Sequence, residues 1–349
     1  IRGKPLSTII REIRENKMKE QRVAVIGCGV WGRNIVRNFY NLNVLDTVCD
    51  IDDENLKKVT EQYPGVKVTK DFHDIINNEN ITGVCVVTPS HTHYRMVKAM
   101  LEAGKHVYVE KPISTVAQEA RDLTDLADSK GLVLMVGHLL LYHPAVNRLK
   151  MLVEEGALGD IVYAQSDRLI INYLKNDRSV MWDLAPHDVS MIAYVTGKNP
   201  VKVISAIGCS YDRNDIMDIT HIGVEFEGGM IAHISDSWIT PQKHVTLLVR
   251  GTKATAIFDD TAPTDKLKVY DNFVPANTQN FALDYLEIEP LKLACQHFVN
   301  CCASHQKARS DGANGYAVVS VLEEAEKIML GSKVEDLNKK DFALSRMKV

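Results

Sequence analysis

The chain has 349 residues, of which 45% are hydrophobic and 25% charged, with a formal net charge of −4. That length fits two domains better than a single core, and the slight acidic excess leaves no electrostatic footprint for nucleic acid. The seven cysteines are odd in number and form no Cys-x-x-Cys pair, which suits a reduced, cytoplasmic protein. The longest apolar run, 132–142, is interrupted by Gly137 and His138. It falls short of the roughly eighteen residues a membrane helix needs, so no membrane anchor is expected.

Residues 1–20 are basic, carry a small stripe of Ile9, Ile10 and Ile13, and lack the apolar centre of a signal peptide; they read as an N-terminal arm. Residues 22–26 form a short β-branched apolar run, followed at once by Gly27-x-Gly29-x-x-Gly32 and a helical pattern through Ile35, Val36 and Phe39. In this setting Gly27 makes a tight turn, Gly29 lets the backbone approach a pyrophosphate, and Gly32 lets helix pack on strand. Val30 and Trp31 lie in the same turn, and the helix N-terminus offers free N–H groups to phosphate. A second strand, 44–49, ends at Asp50 and Ile51, about 20 residues on, where a carboxylate accepts hydrogen bonds from a ribose. Asp52, Asp53 and Glu54 follow, with no arginine before residue 57. A 2′-phosphate would be repelled there, so NAD is expected rather than NADP.

The alternation continues with strands near 66–69, 83–89, 106–112 and 132–137 and helices near 53–62, 71–78, 92–103 and 115–130. This predicts a doubly wound parallel sheet with right-handed crossovers, a Rossmann-type α/β domain over 21–141. Ligands in such sheets sit beyond the carboxyl ends of the strands, so Thr88, Pro89, Glu110 and Lys111 should face the same crevice as the glycine turn. His91 and His93, two apart with no cysteine or carboxylate set to match, predict no metal site; His93 reads as a helix-start residue near the cofactor.

After Gly137 the pattern changes. A helix at 144–156 leads into alternating strands near 160–171, 201–210, 218–226, 229–238, 244–250 and 254–259. They predict an α+β domain over 142–349, built on a large, mostly antiparallel sheet and closed by helices near 283–304 and 313–331. Its densest chemistry is Trp182-Asp183-Leu184-Ala185-Pro186-His187-Asp188. If one helix spans it, Asp183 and His187 share a face; if Pro186 opens the helix, His187 sits at an N-terminus whose dipole lowers its pKa. Either geometry suits proton transfer.

The glycine turn, the Asp50 strand end, TPSHTHY (88–94), AGKHVYVEKPIS (103–114), GHLLLYHP (137–144) and WDLAPHD together resemble the glucose-fructose oxidoreductase, inositol dehydrogenase and MocA family. The resemblance covers about 22–332 and is most specific at Glu110-Lys111-Pro112. It implies a Rossmann domain followed by an open-faced α/β domain whose sheet forms the oligomer interface of a homodimer or homotetramer. It makes Lys111 the lysine that touches nicotinamide and substrate hydroxyl, His187 the catalytic base, and Asp183 the acid that orients it, with Glu110 on the cofactor side.

The segments 137–150, 182–188, 238–243 and 289–301 resemble the branch that oxidises the 3-hydroxyl of UDP-N-acetylglucosamine or its uronate. That implies Arg168, Tyr142, His143, Trp182, Lys243 and Tyr173 as contacts to a UDP-sugar, the cations serving a diphosphate. His244 stands where the family pattern often has arginine. An inositol or free-sugar dehydrogenase and a keto-sugar reductase share the same residues. A glycosidase that recycles NAD within each turnover is the alternative of another class, and an NAD sensor would not need Lys111, Asp183 and His187 together.

Overall fold

Strand β1 (Val23–Ile26) is buried along its whole length, and so are β4 (Gly83–Val86) and β5 (His106–Val109), as expected of parallel strands covered on both faces. The computed structural model describes residues 20–171, 178–210, 216–273, 281–282 and 288–331; the basic arm and Tyr173 lie outside them. With β2 (Leu45–Cys49), β3 (Lys67–Thr69) and β6 (Leu134–Val136), these strands form a six-stranded sheet of order β3-β2-β1-β4-β5-β6. Every pairing in it is parallel. The order reverses between β1 and β4, and it is there that such a sheet opens a ligand crevice. Helix α1 (Gly32–Asn41) follows β1, and α2 (Asp53–Gln62), α3 (His73–Ile76), α4 (His93–Glu102) and α5 (Ala117–Ser129) fill the remaining crossovers.

Two strands stop sooner than their apolar pattern predicts. Backbone pairing ends at Val86 and Val109, and the chain then leaves the sheet, so Thr88, Pro89, Glu110 and Lys111 stand on loops just past the strand ends. Only the N–H groups of Val87 and Glu110 still reach the sheet, donating to Ile26 O and Val86 O.

The second sheet has eight strands in the order β14-β13-β12-β11-β7-β10-β9-β8. They are β7 (Ile161–Ile171), β8 (Pro200–Cys209), β9 (Ile219–Phe226), β10 (Met230–Ser237), β11 (Ile239–Gly251), β12 (Ala254–Asp259), β13 (Leu267–Asp271) and β14 (Phe281–Ala282). The last two were not expected from the sequence, being short and set among turn-forming residues. All pairings are antiparallel except β10 with β7, which are parallel and bring Asp236 opposite Arg168. Helix α6 (Pro144–Glu154) and the long α7 (Val180–Thr196) cover one face.

The last two helices return to the first sheet. Within α8 (Pro290–Ser304), Phe298 packs edge-on against Phe39 at 6.2 Å and against Tyr108 at 5.8 Å. A Cβ on Gly83 would stand 3.1 Å from the same ring, so the ring packs closely over the bare backbone there. The expected helix start near 283 lies outside the described residues; α8 begins at Pro290, whose missing N–H is harmless in a first turn. Before α9 (Gly312–Gly331), the Val136 N–H donates to Ser310 O at 2.7 Å. Truncating Phe298 to alanine removes a fully buried ring from this seam. It should destabilise the protein by about 3–5 kcal/mol, measured by denaturant unfolding; a loss within error would mean that α8 is not anchored by this contact.

Candidate active site

The glycine turn has the shape that its spacing predicts. Gly27 has φ +92°, and a Cβ there would meet Val87 O at 2.6 Å; one on Gly32 would meet Gly27 O at 2.1 Å. Both positions exclude a side chain. Around Gly29, by contrast, a Cβ would find nothing within 4 Å, which leaves the backbone open to a close-lying ligand. Val30 and Ile51 stand exposed beside it. Asp50 accepts hydrogen bonds from the Cys28 N–H at 2.7 Å and the Asp52 N–H at 2.9 Å, so this carboxylate at the end of β2 holds the glycine turn. Burial would raise that carboxyl, but the two N–H groups, with the Cys28 and Asn55 side chains, together outweigh it and keep its pKa below the ordinary value. An open glycine backbone, a carboxylate at the next strand end and exposed apolar residues on both sides fit a dinucleotide.

Across the crevice, the Trp31 indole N–H donates to Glu110 Oε1 at 2.8 Å, and the Lys111 N–H donates to Oε2 at 3.2 Å. A Cβ on Gly137 would stand 2.8 Å from this carboxyl, so the glycine makes room for it. Burial pushes the Glu110 pKa up. Beyond it opens a cleft of about 410 Å³ into which Thr88, Pro89, Lys111, Arg178, Asp183 and His187 all project. His93 lies in its wall, with Nδ1 2.7 Å from Pro112 O and Nε2 2.8 Å from Thr88 O, tying together the loops after β4 and β5.

One helix, α7, carries both Asp183 and His187, so the two side chains share its face. Pro186 lies within that helix, and His187 is well past its N-terminus; the dipole of the first turn is not what tunes the imidazole. Lys111 Nζ donates to Asp183 O at 2.5 Å and lies 3.4 Å from Asp183 Oδ1, linking the first sheet to α7. The His187 pKa is pushed well below 6.5, first by burial and then by the positive charges of Lys111 and Arg168, with His138 adding to them. Its Nδ1 is buried with no hydrogen-bond partner among the described residues.

The residues expected to hold a UDP-sugar are dispersed. Arg168 is buried and bound to Asp188, with Nη2 3.0 Å and Nε 3.1 Å from the carboxylate. β7 turns this side chain inward, under α7, rather than toward a substrate. Tyr142 is in the core, with its hydroxyl 3.0 Å from Ser310 Oγ. His143 caps α6, accepting from the Ala145 N–H, and opens onto a different cavity of about 490 Å³ with Asp260 and Lys266. Trp182 is buried and donates to Glu326. Lys243 is exposed in an irregular part of β11 and does not line the cleft. Arg178 does line it, and sequence reasoning missed it; its only signal was a cation five residues before Asp183, within reach of a helix start.

Residues 21–138 match the family described as an oxidoreductase family with an NAD-binding Rossmann fold, and 146–257 match the GFO/IDH/MocA C-terminal domain. A UDP-N-acetylglucosamine 3-dehydrogenase of Acidithiobacillus ferrooxidans is 26% identical over 316 residues, covering 87% of this chain and 95% of that one. A myo-inositol 2-dehydrogenase of Thermotoga maritima is 25% identical over 62% of this chain and 68% of its own. The solved structure of the Acidithiobacillus enzyme superposes with a TM-score of 0.80 at 24% identity, covering 89% of this chain and 98% of that chain, which is a likeness of fold. With both of its halves matched in order, the chain belongs to the glucose-fructose oxidoreductase, inositol dehydrogenase and MocA family of NAD-binding oxidoreductases.

Proposed function

We propose that the protein oxidises a secondary hydroxyl of a sugar, and that the sugar is a UDP-N-acetylated hexose attacked at its 3-hydroxyl. The observation that carries the reaction is the convergence of Lys111, Asp183 and His187 in one cleft beside the open glycine turn. The substrate rests on the match to the UDP-N-acetylglucosamine 3-dehydrogenase along nearly its whole length.

Gly27, Gly29, Val30, Trp31 and Gly32, with Asp50 and Ile51, would hold the dinucleotide, and Thr88, Pro89, His93 and Glu110 its nicotinamide end. Bound NAD supplies the hydride acceptor. The residues of the chain handle the proton and the charge. His187 is neutral at working pH because burial and its cationic neighbours disfavour imidazolium, so it can take the hydroxyl proton. With Nδ1 buried, Nε2 is the nitrogen left to do so. Lys111, fixed by the carbonyl and carboxylate of Asp183, places a positive charge where oxygen becomes alkoxide-like. Asp183 orients the lysine directly and the histidine through their shared helix. Arg178 is the cation nearest at hand for an anionic part of the substrate.

Purified protein given NAD with UDP-N-acetylglucosamine, its uronate or myo-inositol in separate cuvettes should form NADH with one of the UDP-sugars. Lys111→Ala should lower kcat/KM about 10²–10³-fold. NADH with inositol alone would move the substrate to a free cyclitol, and product without net NADH would favour the glycosidase. Because the depressed pKa keeps His187 neutral, kcat/KM should stay flat from about pH 8 down through 6.5 and fall only at lower pH. His187→Gln should cost about 10²–10⁴-fold; an acid limb at 6.5 or above would remove His187 as the base.

The edge strand β8 exposes Val201, Ile204 and Ile207, an apolar strip suited to a homodimer or homotetramer through the second sheet. Ile207→Glu should lower the mass found by sedimentation equilibrium, and an unchanged mass would put the interface elsewhere.

A further inference from the structure

Beneath His187 the inner face of the second sheet carries a row of polar residues where a core would ordinarily be apolar. Register sets Thr220 of β9, Asp236 of β10 and Arg168 of β7 side by side. Asp188, the residue after His187 on α7, comes down onto them. Arg168 and the Ser166 hydroxyl, at 2.7 Å, both donate to Asp188. Asp236 is fully buried, and neither of its oxygens has a donor among the described residues; the Thr220 hydroxyl beside it is unpartnered as well. Strand register sets Asp236 beside Arg168 and the Asp236 carboxyl feels the charge of Asp188, so two buried carboxyl groups have one guanidinium between them, and that guanidinium is hydrogen-bonded to Asp188 alone. Two neighbouring buried carboxylates cannot both be ionised against one cation without a large desolvation cost.

We propose that Asp188 and Asp236 share one proton and, with Arg168, form a neutral buried unit that positions His187. The shared proton supplies the donor that Asp236 lacks. One carboxylate charge then cancels one guanidinium charge, and the base gains no anionic neighbour from this side. Bonds from Asp188 to β7 pin the turn of α7 that bears His187 onto the sheet. The other groups facing the unit and the imidazole are Lys111 and His138 toward His187, Asp183 toward Asp236, and Asp260 toward Arg168. Burial pushes the Asp236 carboxyl well up, and Asp188 adds to it, in line with a retained proton. The inference rests on the reading of His187 as the base.

Two readouts that do not use turnover test it, both on the full chain with NAD. Infrared difference spectra between wild type and Asp236→Asn at neutral pH should show a protonated-carboxyl stretch that the variant has lost. Histidine-labelled NMR, with His187→Gln to assign the resonance, should show the His187 titration unmoved in Asp236→Asn, since an amide replaces a neutral carboxyl. In Arg168→Met it should move up by about 1 to 3 pH units, because a cation that disfavours the imidazolium is gone. No carboxyl band, or a downward shift of His187 in Asp236→Asn, would overturn the unit and leave the base standing. Full turnover in His187→Gln would instead remove the base, and with it the catalytic meaning of the unit, whatever the infrared spectrum shows. If Arg168→Met fails to fold, the band and the Asp236→Asn titration still decide.

Discussion

The contact on which the arrangement depends is the one that Lys111 makes with Asp183. A lysine on the loop just past a strand of the first sheet reaches a carbonyl and a carboxylate on a helix of the second half. Both partners are largely shielded, so neither charge is well solvated, and a pair of this kind is seldom a net source of stability. What it provides is position. The ammonium cannot wander along its four-carbon stem, and the cleft keeps a fixed cation on one wall and an imidazole one helical turn away on the other.

Around this contact, burial acts on His187, His138 and Glu110 in one direction, toward the uncharged form. It drives His187 and His138 toward the neutral form and Glu110 toward the protonated one. His138 is brought down to about 4 even though its Nδ1 lies 2.6 Å from Asn314 Oδ1. The outcome is a site whose positive charge rests on Lys111 and Arg178, with Lys111 held in place by Asp183. That suits chemistry in which negative charge develops on a single oxygen, because fixed dipoles and one held cation need little reorganisation when it does.

The frame that holds these residues is closed by the end of the chain. Phe298 locks α8 onto α1 and β5, and Ser310 pairs with the last strand of the first sheet. Arg309 lies over the rings of Tyr142 and Tyr194, at 5.1 and 5.5 Å, and donates to Leu141 O. Tyr142 therefore serves the joint between the two halves through its aromatic face and hydroxyl, although its type and position in the sequence are equally suited to a sugar-stacking role.

The doubly wound sheet, the glycine turn with Asp50, the Glu110-Lys111 strand end and the Asp183–His187 pair were all legible in the sequence. Each is a local pattern: a period of alternation, a backbone conformation open only to glycine, or a spacing along one helix. Contacts between distant segments were not legible. Nothing in the sequence marks Arg168 as facing inward, because a strand shows which residues alternate but not which face meets the helices until the sheet is assembled. The same holds for Asp236, whose neighbours come from β9, β7 and α7, and for Arg178, whose place in the cleft depends on where α7 begins. Sequence alone determined which chemistry the chain could carry. Only the tertiary structure decided which charges meet, because that depends on strand register and helix docking, and these are set by long-range packing.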